Sequence, residues 1–315
     1  IMANKRVFYA SQGVAVAQSG ASTTTVTGAQ SVTMNTNFNL EQVFQLGQPA
    51  VYDNVVGDPS VEVSITKALD GQPLIYNLAC GSGSLVATSD RASKVNFCVG
   101  SDTEDNIGDN AGTITNITCD PIYLQSLSYN FAVDGDFTEE VTLVGLSKSV
   151  GTGTVSTPAS GLTTRQTVLR RQNFNQTSSD LPSEVDGKNI QSISISADLG
   201  RESMYKMGRF KEFHRYVNFP LEISLDFEVI ADDLDSIGVD IPDASCSGLN
   251  LEKQDCTIAL CDSEGSGTYT FTLGDATLTS VAFGGGDTGG GNATLTFSYV
   301  VYNTFTAAST AAHAG

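Results

Sequence analysis

Apolar and polar residues alternate with a period of two through most of this chain, in short runs broken by Gly, Asn and Asp, which is the rhythm of half-buried strands. In VEVSITK, Val61, Val63 and Ile65 share one side and Glu62, Ser64 and Thr66 the other, so the pattern predicts a strand over 61–67 with one face buried and one wet. Val32 and Met34 against Ser31, Thr33 and Asn35 predict another over 30–38. Further strands are expected at 6–17, 94–99, 113–119, 123–133 and 138–146, the last two joined at Asp134-Gly135-Asp136. Beyond residue 165, strands are expected near 167–174 and at 190–199, 221–230, 257–261, 268–273, 276–283 and 292–302. Helical spacing is confined to Leu74, Ile75 and Leu78 behind Pro73, and to a weaker stretch at 232–238. Residues 41–56 fit neither rhythm; LEQVFQLG is read as one or two helical turns ending at Gly47, followed by a loop too long to be a mere connector.

The pattern is written twice. QSVTMNTNFNLEQVFQLG, opening at Gln30, returns 161 residues later as QSISISADLGRESMYKMG, opening at Gln191. The register pairs Glu41 with Glu202, Gly47 with Gly208, Val56 with Val217 and Pro59 with Pro220 without a gap. Apolar positions match as well: Val32 with Ile193, Met34 with Ile195, Phe44 with Tyr205 and Leu46 with Met207. Farther on, LQSLSYNF (124–131) answers LTSVAF (278–283). Self-similarity at a fixed spacing implies one fold used twice. The Gly, Ser, Thr and Pro-rich stretch 148–164 has the composition of a connector. The expected organisation is therefore mainly β: a first domain over 1–150, a linker over 151–164 and a second domain over 165–315, each with one short flanking helix.

Lys+Arg of 16 against Asp+Glu of 35 gives a net charge of −19 that divides almost evenly between the halves. A body so acidic, without a basic patch, disfavours ordinary nucleic-acid binding. No apolar run reaches the ~18 residues needed to span a membrane, and no secretory h-region follows Lys5 and Arg6, so a cytoplasmic site of synthesis and no membrane insertion are expected.

Chemistry has few footholds. Six cysteines, at 80, 98, 119, 246, 256 and 261, lack CxxC spacing and read as small core residues rather than a zinc site. His214 and His313 are too isolated for a triad, and His214 reads as a surface or contact residue. The Gly-rich run 284–292 lacks the Lys-Ser/Thr of a phosphate loop, and the acidic runs 101–110 and 231–236 lack the spacing of a calcium loop. No enzyme activity and no cofactor are expected; a glycan-cleaving enzyme would require paired carboxylates in a cleft. What remains is the repeated loop, whose Phe44, Leu46, Val51, Tyr52, Tyr205, Met207, Phe210, Phe213 and Tyr216 either fold over their own sheet to finish the core or, the preferred reading, contact a neighbouring subunit.

The quoted repeat, with DPSVEVSI (58–65) and VNFPLEISLDF (217–227), resembles the major tail-tube proteins of long-tailed bacteriophages over nearly the whole chain. That resemblance implies two β-sandwich or half-barrel units, in which the loop between the second and third strands contacts neighbouring rings. It implies that Glu41, Phe44, Leu46, Gly47 and Tyr52, with Glu202, Tyr205, Met207, Gly208 and Phe213, belong to ring-stacking elements. Six units close a ring in that family, so two units per chain imply a homotrimer with pseudo-sixfold symmetry, stacked into a conduit for DNA. The partners implied are further copies of the chain and other tail proteins such as tape measure, sheath or terminators, within a virion tail assembled in the bacterial cytoplasm. Glu62, Glu139, Glu140, Glu222, Asp226 and Glu228, on or beside strands, are the expected bore acids. The alternative is a β-sandwich binding module, such as a virion decoration or adhesin domain pair.

Overall fold

The computed structural model describes residues 12–88, 91–100, 114–152, 168–209, 211–231, 252–261, 267–285 and 292–309. Strands of the first half are β1 (Gln12–Gln18), β2 (Thr24–Thr25), β3 (Ala29–Asn37), β4 (Leu40–Phe44), β5 (Val51–Val56), β6 (Ser60–Ala68), β7 (Ser93–Val99), β8 (Thr115–Ala132), β9 (Thr138–Gly145) and β10 (Lys148–Thr152). Those of the second half are β11 (Ile190–Asp198), β12 (Glu202–Met204), β13 (His214–Tyr216), β14 (Glu222–Ile230), β15 (Gln254–Cys261), β16 (Gly267–Gly284), β17 (Thr294–Tyr302) and β18 (Phe305–Ser309). Two short helices, α1 (Ile75–Cys80) and α2 (Leu85–Thr88), follow β6.

The protein is mainly β, and its alternation works as the pattern requires. Val61, Val63 and Ile65 are buried while Glu62 faces out, and Ile223, Leu225, Phe227 and Val229 do the same in β14. Eight strands form one antiparallel layer in the order β3-β6-β9-β8-β11-β14-β17-β16. The 18-residue strands β8 and β16 run on out of this layer into a second one. There the start of β8 pairs with β7 and β10, and the start of β16 with β15 and β18.

Pairing in the first half recurs in the second. β3-β6-β9-β8 is answered by β11-β14-β17-β16, and β7 and β10 by β15 and β18. Both long strands carry a register shift at matching places, between Leu124 and Ser126 and between Leu278 and Ser280, inside the repeated LQS and LTS. The spacing shifts by one residue just past the repeated loop. Ile193 lies 161 residues after Val32, but their partners Ile65 and Phe227 lie 162 apart, so one residue is added after Pro220 and the buried phase is kept.

The halves meet over a shared core. Tyr129 packs on Phe271 with ring centroids 4.6 Å apart, Phe131 on the same ring at 5.4 Å, and the Tyr269 hydroxyl donates to the Gln72 carbonyl at 2.5 Å. The aromatic pairs add to the area they bury. β8 pairs directly with β11, so one sheet also crosses the boundary between halves.

Several expectations are corrected. The strands expected at 113–119 and 123–133 are one, Thr115–Ala132, because the register shift against β7 between Ser93 and Val95 accommodates Pro121, which has no N–H for the ladder. Residues 268–273 and 276–283 also merge, across Gly274-Asp275, where a second shift falls. Residues 168–174 are not a strand: Asn173 and Asn175 accept backbone hydrogen bonds from Arg170 and Ser178 and wind 3-10 turns there. The connector begins later than 148, since Lys148–Thr152 is an exposed edge strand that needs no apolar face. β18 was not anticipated. The expected 232–238 helix, the acidic run 101–110, most of the 6–17 strand, most of the linker, Phe210, Cys246, His313 and the middle of the Gly-rich tip lie outside the described residues.

Candidate assembly site

Residues 41–56 are a β-hairpin, not helical turns. β4 and β5 pair from Leu40–Val56 to Phe44–Val51, and β12 and β13 pair in the same register, Glu202 against Tyr216 and Glu41 against Val55. Each hairpin ends in a four-residue turn, closed by Gln48 N–H to Gln45 O at 3.2 Å and by Arg209 N–H to Lys206 O at 3.3 Å. The third residue of a type II turn needs positive φ, which is why Gly47 (φ 84°) and Gly208 (φ 82°) stand there. The glycine read as a helix cap is a turn residue. Leu46 and Met207, one position earlier, are carried to the tips and are fully exposed, at 101% and 103%.

The two hairpins differ in support. Every residue of β4 and β5 is exposed, Phe44 and Tyr52 included. An isolated two-stranded hairpin bearing that much apolar surface is marginal in water. The second hairpin is held against the first half. Arg201 Nε donates to the Leu124 carbonyl, and its guanidinium lies 5.3 Å from the centre of the Tyr123 ring. Lys211 donates to Ser147 Oγ at 3.0 Å, and Arg215 pairs with Glu212 at 3.1 Å with both side chains buried. Partial burial first, then the nearby Asp58 and Glu212 carboxylates, push the Tyr205 hydroxyl above its ordinary range, against the pull of Ser203, which lowers it. Glu202 accepts from Tyr216 at 2.6 Å and Asn218 at 2.8 Å, bonds that hold its carboxyl below its ordinary range. Phe213 is exposed beside Lys206, whose ammonium lies 6.0 Å from its ring.

The wet face of the eight-stranded layer is lined by hydroxyls and acids. One tier across it reads Ser31, Thr66, Glu140, Ser128, Ser196 and Ser224. Another reads Asn130, Ser194, Asp226, Ser298 and Ser280, and Glu62, Glu222 and Glu228 share this face. Among the described strand positions on it there is no Lys or Arg. Ser192 donates to Glu228 at 3.1 Å, and Ser64 and Thr142 are 3.1 Å apart.

Glu139 does not belong there. It lies one residue from Glu140 on β9 and therefore points the other way, fully buried opposite Lys67. Its carboxylate accepts the Ile75 N–H at 2.7 Å, the Tyr76 N–H at 3.0 Å and the Tyr129 hydroxyl at 3.1 Å. Leu74 offers α1 no side-chain cap, so a strand acid does the work of an N-cap.

The layer ends in open edges. Among the described residues β3 has a strand partner on one side only, β6, and beyond Ala276 the described part of β16 pairs only with β17. Phe283, at the place that the fully buried Tyr129 holds in β8, is 54% exposed. Composition gave no hint of Phe283; the match of LTSVAF to LQSLSYNF contained it, since both strands should carry the same neighbour.

Thiols are structural in their setting: burial raises Cys98 and Cys119 to about 11 and Cys256 to about 12. Among the described residues no group of three or more His, Cys, Asp or Glu could hold a metal ion, and no helix is long and apolar enough to cross a membrane. The chain matches no protein-family model and no curated protein.

Proposed function

We propose that this chain is a structural protein that polymerises with copies of itself into rings stacked as a tube, as the major tail-tube proteins it resembles do. One observation carries the reading: the β8–β11 joint, made inside the chain, has a counterpart left unmade, between β16 of one copy and β3 of the next. The internal joint sets Tyr129 against Ile195, so the equivalent register sets Phe283 of one copy against Met34 of its neighbour. That pairing covers Phe283 and removes both open edges at once.

Three copies supply six units, the number that closes a ring in the resembled family, and a closed ring of like interfaces is the usual outcome of a head-to-tail contact that returns on itself. The wet faces of all copies then line the bore, with Glu62, Glu140, Glu222, Asp226 and Glu228 directed into it. An anionic wall repels DNA phosphates and lets a genome pass without sticking. The hairpin tips at Leu46 and Met207 stand clear of the layer and serve as contacts between stacked rings.

Electron microscopy of the purified chain tests this. Rings with three chains, alone or stacked as tubes, are the expected result. Dispersed single chains at high protein concentration would favour the binding-module alternative, and rings of six chains would overturn the trimer.

A further inference from the structure

We propose that hairpin β4–β5 is received by a second copy of this chain in the same ring, in an apolar seat where Phe44 packs on Phe219, and that this seat separates joints between chains from the joint within one. The inference rests on the ring reading above and adds to it which surfaces meet and why they do not mispair.

The internal joint is the template. Hairpin β12–β13 reaches from β11 across the ends of β8 and β9 to the loop before β6, touching Leu124, Ser147 and Asp58 in turn. Its contacts there are polar: a guanidinium on a carbonyl, an ammonium on a hydroxyl, and a phenol on a carboxylate. Carrying the same geometry to the open joint uses the 161-residue register, in which Arg201 becomes Leu40, Tyr205 becomes Phe44, Lys211 becomes Ala50 and Asp58 becomes Phe219. The three polar side chains of the arriving hairpin and the carboxylate of the receiving loop all have apolar counterparts, while Ser147 is matched by Asn303 just past β17.

Surface exposure agrees from both sides. Leu40 and Phe44 stand 63% and 64% exposed on the hairpin, and Phe219 stands 56% exposed at the mouth of β14, with Tyr302 exposed beside it on β17. Apolar groups of this size left in water on two surfaces that the sheet edges bring together call for burial against each other. The pairing also discriminates. β4–β5 folded back on the internal seat would set Phe44 on the Asp58 carboxylate, and β12–β13 on the outer seat would leave Tyr205 without its acceptor and Arg201 without its ring. Each wrong pairing strands a polar group, so the chain closes on itself at one joint and on its neighbour at the other.

The test grafts the internal chemistry onto the outer seat. Phe219→Asp should raise the concentration needed for ring assembly by about tenfold or more, the worth of one buried aromatic contact, and Phe44→Asp should do the same. Adding Phe44→Tyr to Phe219→Asp rebuilds the Tyr205–Asp58 pair between chains and should recover most of the loss. Both sites are exposed in the single chain, so thermal melts of the unassembled variants should match the parent. Parent-like assembly by Phe219→Asp, or a double variant no better than the single one, overturns the seat and leaves the ring standing. A parent chain that forms no rings overturns both.

Discussion

Glu139 and Glu140 show how much one step along a strand decides. Adjacent side chains on β9 point to opposite faces, and the buried phase of Val141 and Leu143 puts Glu139 inside and Glu140 on the wet face. The sequence contained that phase; expecting both acids in the bore overlooked it. Burial raises the pKa of Glu139, while Lys67, the two α1 amides and Tyr129 pull it back. Since the folded value lies above the ordinary 4.5, the folded state holds this proton more tightly than the unfolded chain. Its contribution to stability is therefore full below pH 4.5 and is lost as pH rises through the folded value. Glu139→Gln should flatten that part of the stability-versus-pH curve, measured as melting temperature across pH 4 to 8. Glu139→Leu should cost about 2–4 kcal/mol in chemical denaturation, because two buried helix amides lose their acceptor. The second half offers the comparison: Val229 and Leu295 hold the places of Lys67 and Glu139. Lys67→Val added to Glu139→Leu should deepen the loss, because Lys67 also pairs with buried Asp70 at 3.2 Å and donates to the Gln72 and Pro73 carbonyls, and a double-mutant cycle reads the coupling.

Among elements, the strands of the eight-stranded layer were legible because their alternation was strict, whereas the hairpins were not. LEQVFQLG has apolar residues at helical spacing, yet β4 exposes all of them, so no core selects between helix and strand; β5 and the Gly47 turn do. The merged strands β8 and β16 were hidden by Pro121 and by Gly274-Asp275, which mark shifts in register rather than strand ends. Leu46 and Met207 belong to the turn at each tip, where neither joins the core. Leu46→Asp with Met207→Asp should leave single rings intact and shorten or abolish tubes, counted by electron microscopy and sedimentation. Loss of rings as well would move those tips from the contact between rings to the contact within one.

At the scale of the whole molecule, the net charge of −19 carries a message that charge alone did not locate. The paired registers place five of the six suspected acids on one face with hydroxyls between them, and only the topology could say so. In the proposed tube, lysines in place of Glu62, Glu140, Glu222, Asp226 and Glu228 should leave the assembly intact but make it retain DNA at low salt, with retention falling steeply as salt rises. Tubes that still exclude DNA would place the bore on another surface.

In the proposed ring, half of the unions are already made before any two molecules collide, since β8 and β11 meet within one chain. A tethered partner is present at a high effective concentration whatever the dilution, so only three encounters, not six, depend on how much protein the cell holds. Such a chain would begin to build at lower abundance than a one-unit relative, and with fewer half-finished arcs along the way.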